Sequence, residues 1–365
     1  MMNRLHKIQE HGQSIWLDLL DRKLMDTGKL KQLIEEDGLR GLTSNPAIFE
    51  KAISNSSDYD EDIISLSQKE LDNEGIFFEL AIKDIQRAAD IFKPVYDQTN
   101  GMDGYVSLEV SPLLAKDSLA TFEQAQELWN KIDRKNVMIK IPGTEEGLEA
   151  IQKCITEGIN INVTLLFGLD RYRSVAETYL KGLEERAADG KSVSEVSSVA
   201  SFFLSRIDVL VEPLLKEKGL EDLIGEVAIA SAKKAYEIYN EVFTTDRFKE
   251  LEAKGAKPQR LLWASTSTKD PSFRDVKYVE ALIGENTVNT VPMDTLDAFR
   301  DHGQVADSLS TDLDKATMAL HRIDQSGIDI NDLTQQLEDE GIEKFNTPFN
   351  TLLTTIENQK KESVR

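Results

Sequence analysis

At 365 residues the chain is long enough to bury one large α/β core or two ordinary ones. Its formal net charge of -22 gives a strongly negative field, which argues against nucleic acid or an anionic membrane as a partner. The single cysteine, Cys154, excludes an internal disulfide framework; with no apolar leader in "MMNRLHKIQEHGQ" and no long apolar run, the expected setting is soluble and cytoplasmic.

Along the chain, short β-type runs recur: "SIWLDL" (14–19), "RGLTSN" (40–45), "YVSLEV" (105–110), "VMIKIP" (137–142), "INVTLLF" (161–167), "VSSVASFF" (196–203), "RLLWAS" (260–265) and "NTVNTVP" (286–292). Helical patterns lie between them, as in "LKQLIEED" (30–37), "LATFEQAQELWNKIDRK" (119–135), "EEGLEAIQKCITEG" (145–158) and "DRYRSVAETYLKGLEERAAD" (170–189). Strands alternating with helices imply a parallel sheet, and eight such units predict a closed (β/α)8 TIM barrel. Two long connections, 46–104 and 204–259, read as helical. The expected organisation is a single barrel domain over 1–365, with 303–365 a C-terminal helical extension packed on it.

A barrel strand turns alternate side chains inward and outward. Ile15, Leu17 and Leu19 share one face and Asp18 takes the other; Val106, Leu108 and Val110 oppose Glu109. Val137, Ile139 and Ile141 oppose Lys140, and Ile161, Val163 and Leu165 oppose Asn162 and Thr164. Asn45, Ser201 and Ser265 lie at or near the ends of their runs. The polar set therefore falls on the inward face, biased toward the C-terminal rim, where barrel enzymes keep their chemistry.

Lys140, in "NVMIKIPGT", is the most informative member. Burial disfavours the ammonium form, and a free amine attacks carbonyls. A Schiff base then serves as an electron sink for carbon–carbon cleavage, and Asp18 and Glu109 supply carboxyl groups for the proton transfers. The competing reading is a purely structural ion pair of Lys140 with Glu109 or Asp18.

This constellation resembles the transaldolase family, in its longer bacterial form. The resemblance rests on "GLTSNPAIFEKAI" (41–53), "MIKIPGT" (138–144), "NVTLLF" (162–167), "SFFLSRID" (201–208) and "TVNTVP" (287–292), and covers roughly 14–300. It implies transfer of a dihydroxyacetone unit between phosphorylated sugars, with sedoheptulose 7-phosphate and glyceraldehyde 3-phosphate giving erythrose 4-phosphate and fructose 6-phosphate. It implies no metal and no organic cofactor, and leaves monomer or homodimer open.

By the same resemblance Lys140 forms the Schiff base and Asp18 takes and returns the proton of the C4 hydroxyl. Glu109 and Thr164, through a water, shuttle protons as the carbinolamine forms and dehydrates. Asn45, Asn162 and Ser201 hold the dihydroxyacetone hydroxyls, Ser265 lies on the seventh strand, and Arg206 binds the phosphate. One position departs from the family: where many members carry an arginine two residues after Ser265, this chain has Ser267, and Lys269 is the candidate replacement. The nearest alternative, a fructose 6-phosphate aldolase, typically has a tyrosine where this chain has Phe203. A catalytically silent binding barrel is the alternative of another class. The histidines His6, His11, His302 and His321 have no ligand-like spacing. His302 reads as a helix-end surface residue, and Trp16 and Trp263 as core fillers.

Overall fold

The computed structural model describes residues 3–363. Eight parallel strands run in sequence order around a closed barrel: β1 Gln13–Asp18, β2 Gly41–Thr43, β3 Tyr105–Glu109, β4 Val137–Pro142, β5 Ile161–Leu166, β6 Ser198–Phe203, β7 Arg260–Ala264 and β8 Thr287–Val291. β8 pairs back onto β1, so no strand edge is left open. The TIM barrel expected from the sequence is the fold observed. β2 is the shortest strand, because Asn45 leaves the sheet to cap the helix Pro46–Ser54. Its side chain accepts the Ile48 amide at 3.0 Å, with Pro46 at the first helical position.

Parallel register sets which inward side chains share a level. Asp18 pairs with Thr43, Glu109 with Lys140, and Lys140 with Asn162. Below this polar tier the barrel is plugged. Trp16 fills the interior, and its ring lies where a Cβ on Gly41 would approach to 2.5 Å, so only glycine fits there. Deeper still, Arg260 and Asp103 form a buried ion pair at 2.9 Å, and Ser14 bonds to both. Every polar atom of that plug which is so engaged is spared the cost of a lone buried charge. Trp263, on the outward face, packs edge-on against Phe202 and donates to the Leu282 carbonyl.

The two long connections carry helices, as expected: Pro46–Ser54, Asp60–Ser67 and Asn73–Gln98 after β2, and Ser205–Lys218, Val227–Phe243 and Asp246–Glu252 after β6. The C-terminal region contains helices Leu313–Gln325 and Ile330–Ser363. The latter packs on β5, on the Pro112–Leu114 turn after β3, and on helices Pro46–Ser54 and Ser205–Lys218. All of these lie at or directly beyond the C-terminal ends of strands, so this long helix crosses the C-terminal rim of the barrel. Phe349 anchors it edge-on against Phe77, which in turn meets Phe49. Phe345, Phe349, Leu352 and Ile356 are buried, each worth about 1.5–3 kcal/mol of apolar transfer. Among the described residues no helix is long and apolar enough to cross a membrane.

Candidate active site

The polar tier opens into a pocket of about 210 Å³ at the C-terminal rim. Asp18, Asn45, Lys140, Thr164, Ser201, Phe203, Arg206, Ser265 and Lys269 line it, together with Phe345 from the C-terminal helix. Two expected site residues, Glu109 and Asn162, do not reach the pocket wall. Glu109 sits behind Lys140, and Asn162 behind Ser201.

Lys140 is almost fully buried. Its Nζ donates to the Ser44 carbonyl at 3.2 Å and approaches Glu109 Oε2 at 3.4 Å. The latter contact is electrostatic, without the alignment of a hydrogen bond, and neither Glu109 oxygen has a hydrogen-bond partner among the described residues. Burial pushes the Glu109 carboxyl up to about 7, against the opposing pull of Lys140. The Thr164 hydroxyl is likewise buried and without a partner. An ion pair exists, as the structural reading of Lys140 requires. Yet that reading leaves Glu109 Oε1 and the Thr164 hydroxyl buried and unpartnered among the described residues, an arrangement folded interiors avoid.

Asp18 faces Lys140 from across the barrel. Burial raises its carboxyl above the ordinary range, opposed by the Lys140 charge and by a hydrogen bond from Thr43 Oγ1 at 2.7 Å. Part of the Asp18 side chain stays accessible through the pocket, while protein surrounds the rest. Ser201 Oγ donates to Asn162 Oδ1 at 2.7 Å, and the Asn162 amide donates to Ser107 Oγ at 3.1 Å. Ser201 is thus held with its lone pairs free. Asn45 spends its oxygen as the helix cap, which leaves its amide hydrogens uncommitted.

Arg206 is the second residue of helix Ser205–Lys218, as the sequence places it. Its guanidinium lies 5.4 Å from the Phe203 ring centre, and its buried Nη1 has no hydrogen-bond partner among the described residues. Burial lowers its proton affinity, but a guanidinium stays charged. The acids near it in sequence are committed elsewhere, Asp208 to Tyr278 and the Ala228 amide and Glu212 to Lys216, while Glu340 of the C-terminal helix acts on its charge but bonds to Lys344 and Gln336. Lys269 is exposed and donates to Ser267 Oγ at 2.9 Å. Ser265 has a left-handed backbone, φ 54°, and its hydroxyl meets Ser205 Oγ at 2.8 Å. This strained turn ties the β7 rim to the start of the Arg206 helix.

Three site residues escaped the sequence reading. Thr43 and Thr290 were legible in principle, since both sit on the inward phase of strands already identified, opposite Leu42 and Val291. Phe345 carried no such signal; in a charged helix it reads as ordinary packing. His302 ends helix Met293–His302, exposed, 2.8 Å from Asp275. Among the described residues no three His, Cys, Asp or Glu side chains gather as a metal site. A larger cleft of about 760 Å³ lies between helices Val227–Phe243 and Leu313–Gln325, where Lys277 and Lys315 pair with Glu226 and Arg322 with Asp222. Its one buried amine, Lys233, is spent on the Thr311 carbonyl with no buried carboxyl in contact among the described residues, so the smaller rim pocket, with its buried amine and carboxyl together, is the candidate active site.

Comparison with known proteins agrees with this geometry. The family described as transaldolase/fructose-6-phosphate aldolase matches residues 15–356. A transaldolase of Trichodesmium erythraeum is 47% identical over 99% of this chain and 98% of its own length. The protein named transaldolase 2 of Nostoc sp. is 47% identical over the same shares. A transaldolase of Thiobacillus denitrificans is 43% identical over 97% of this chain and all of its own length. With the barrel, the rim pocket and both ends of the alignment accounted for, the chain belongs to the transaldolase family.

Proposed function

We propose that the rim pocket carries out dihydroxyacetone transfer through a Schiff base on Lys140, with the other residues in the following roles. The observation that carries this reading is the buried Lys140–Glu109 contact at 3.4 Å beside an open pocket. A carboxylate whose proton affinity is raised to about 7 can take the proton that Lys140 must lose before it attacks a ketone. Glu109 and the unpartnered Thr164 hydroxyl are suited to share one water, which relays protons as the carbinolamine loses hydroxide and becomes the Schiff base. Asp18 then accepts the C4 hydroxyl proton. The C3–C4 bond breaks, its electron pair passes into the iminium as an enamine, and the aldose phosphate departs. Condensation with the acceptor aldehyde reverses these steps, and Asp18 returns the proton.

Ser201, set by Asn162, and Asn45 hold the hydroxyls of the three-carbon unit. Arg206 takes the phosphate with its free Nη1, assisted by Lys269 at the exposed edge. Phe203 lines the pocket without a hydroxyl, so it offers the bound enamine no proton donor; this favours transfer over release. Substrates are accordingly the phosphorylated sugars named above, sedoheptulose 7-phosphate or fructose 6-phosphate as donors. The chain is read as one barrel domain with 303–365 as its extension. With its only cysteine free and buried, it is assigned to the cytoplasm.

The test is borohydride trapping with fructose 6-phosphate followed by peptide mapping. The reduced adduct is expected on Lys140 and nowhere else, and Lys140→Ala is expected to trap nothing. An adduct on another lysine, or transfer activity in that variant, would overturn the reading.

A further inference from the structure

We propose that Thr43 is a positioning residue for Asp18 and that Thr290 orients Thr43 in turn, so that two hydroxyls form a one-way chain aiming the Asp18 carboxylate at the sugar. Thr43 Oγ1 lies 2.7 Å from Asp18 Oδ1 and 2.8 Å from Thr290 Oγ1. A carboxylate can only accept, so the Thr43 proton is committed to Asp18. The Thr43–Thr290 contact must then have Thr290 as donor. Both threonines are buried in the pocket wall, at 2% and 5% exposure, so water has little access to these bonds. The three residues sit on β1, β2 and β8, which are adjacent in the ring, and Asp18 and Thr43 are in register. The β8 rim is itself pinned, because Thr266 Oγ1 donates to the Thr290 carbonyl at 3.2 Å.

The consequence for chemistry is twofold. With Oδ1 occupied, Oδ2 is left to meet the C4 hydroxyl, in one orientation. The donor also favours the ionised carboxylate against the burial that opposes it. The charged groups around Asp18 are Lys140 on β4 and Glu109 on β3, with Arg206 and Lys269 farther along the same pocket. Removing the Thr43 hydroxyl changes none of these charges. The proposal rests on the reading of Asp18 as the proton acceptor in cleavage.

The experiment compares Thr43→Val, Thr43→Ser and Thr290→Val. It measures transfer kinetics across pH and, separately, the borohydride trapping rate with fructose 6-phosphate. A hydrogen bond to a charged group is worth at least about tenfold in an equilibrium. For Thr43→Val the expectation is a kcat about tenfold lower with KM nearly unchanged. The acid limb of the cleavage profile should move up by about one pH unit, since an Asp18 without its donor holds its proton to higher pH. The trapping profile, which precedes the Asp18 step, should stay in place. Thr43→Ser should restore both the rate and the limb, and Thr290→Val should move the limb the same way by less. If Thr43→Val does not fold, Thr290→Val carries the same readout. An unmoved acid limb, or a serine variant that behaves like valine, overturns the proposal. Asp18→Asn separates the two failures. Cleavage surviving in that variant removes the Asp18 reading itself, whereas its loss alongside a normal Thr43→Val removes only the hydroxyl chain.

Discussion

Glu109 is the titrating member of the buried Lys140–Glu109 contact, and its ionisation is open to measurement. The Glu109 carboxyl is raised from 4.5 to about 7 chiefly by burial. In the folded protein it therefore holds its proton more tightly than in the unfolded chain. Its contribution to stability is fullest below about 4.5 and is lost as pH rises toward about 7. The same ionisation governs its use as a base. The rate of Schiff-base trapping should thus show a transition near 7 that disappears in Glu109→Gln, with the remaining rate about 10²- to 10⁴-fold lower. A trapping rate that keeps its transition in the variant would assign the ionisation to another group. Arg206→Ala should raise KM for fructose 6-phosphate strongly with a smaller fall in kcat, because a phosphate held by its Nη1, which has no hydrogen-bond partner among the described residues, takes no part in the bond changes. Lys269→Ala should do so more weakly. Unphosphorylated fructose is the control, and equal losses on both donors would make Arg206 structural. Asp18, Glu109 and Lys140 were legible because period-two alternation exposes a lone acid or amine among Val, Ile and Leu, whereas Arg206 and Lys269 came only from the family resemblance. The hydroxyls Thr43 and Thr290 were harder to see, since threonine is common on any strand.

At the scale of elements, the C-terminal helix Ile330–Ser363 does what no barrel strand does: it closes the pocket from above. Phe345 brings its ring centre to 5.6 Å from Lys140 Nζ. Gly341 allows the approach, since a Cβ there would lie 3.0 Å from the Leu165 side chain. Leu165 is itself at a bulge in β5 with φ 58°, so strand and helix are shaped to meet. Phe345→Ala should admit water over the bound enamine. The expected result is a several-fold rise in free dihydroxyacetone released per transfer event, with the trapping site still Lys140. An unchanged release ratio in a folded variant would reduce Phe345 to packing. The strand order and the helical insertions were readable from alternating hydrophobic periods. The placement of this helix was not, because its apolar stripe says that it packs but not on what. Long-range docking leaves no local pattern in sequence.

For the whole molecule, the charge of -22 opposes every substrate the site is expected to take. The repulsion acts over the approach path and is screened by salt, with a Debye length of about 30 Å at 0.01 M and about 8 Å at 0.15 M. Arg206 is half-buried, so screening would weaken its proposed hold on a phosphate less. Raising ionic strength across that range should therefore increase kcat/KM for a phosphorylated substrate by a few-fold, the reverse of an electrostatically steered enzyme. A fall with salt would mean that local cations dominate the approach as well as the binding.

The helix that covers Lys140 also has a consequence in time. Synthesis proceeds from the N-terminus, so Asp18, Glu109 and Lys140 leave the ribosome well before β8 arrives to complete the ring, and Phe345 follows later still. On the proposed roles, a barrel that has closed before that helix covers it holds the amine and both carboxyl groups with its mouth open to solvent. In that interval the enamine would meet water in place of an acceptor sugar. On the roles proposed above, the groups for cleavage precede along the chain the helix that covers them, so that this final helix is what separates a wasteful ketose lyase from a transferase.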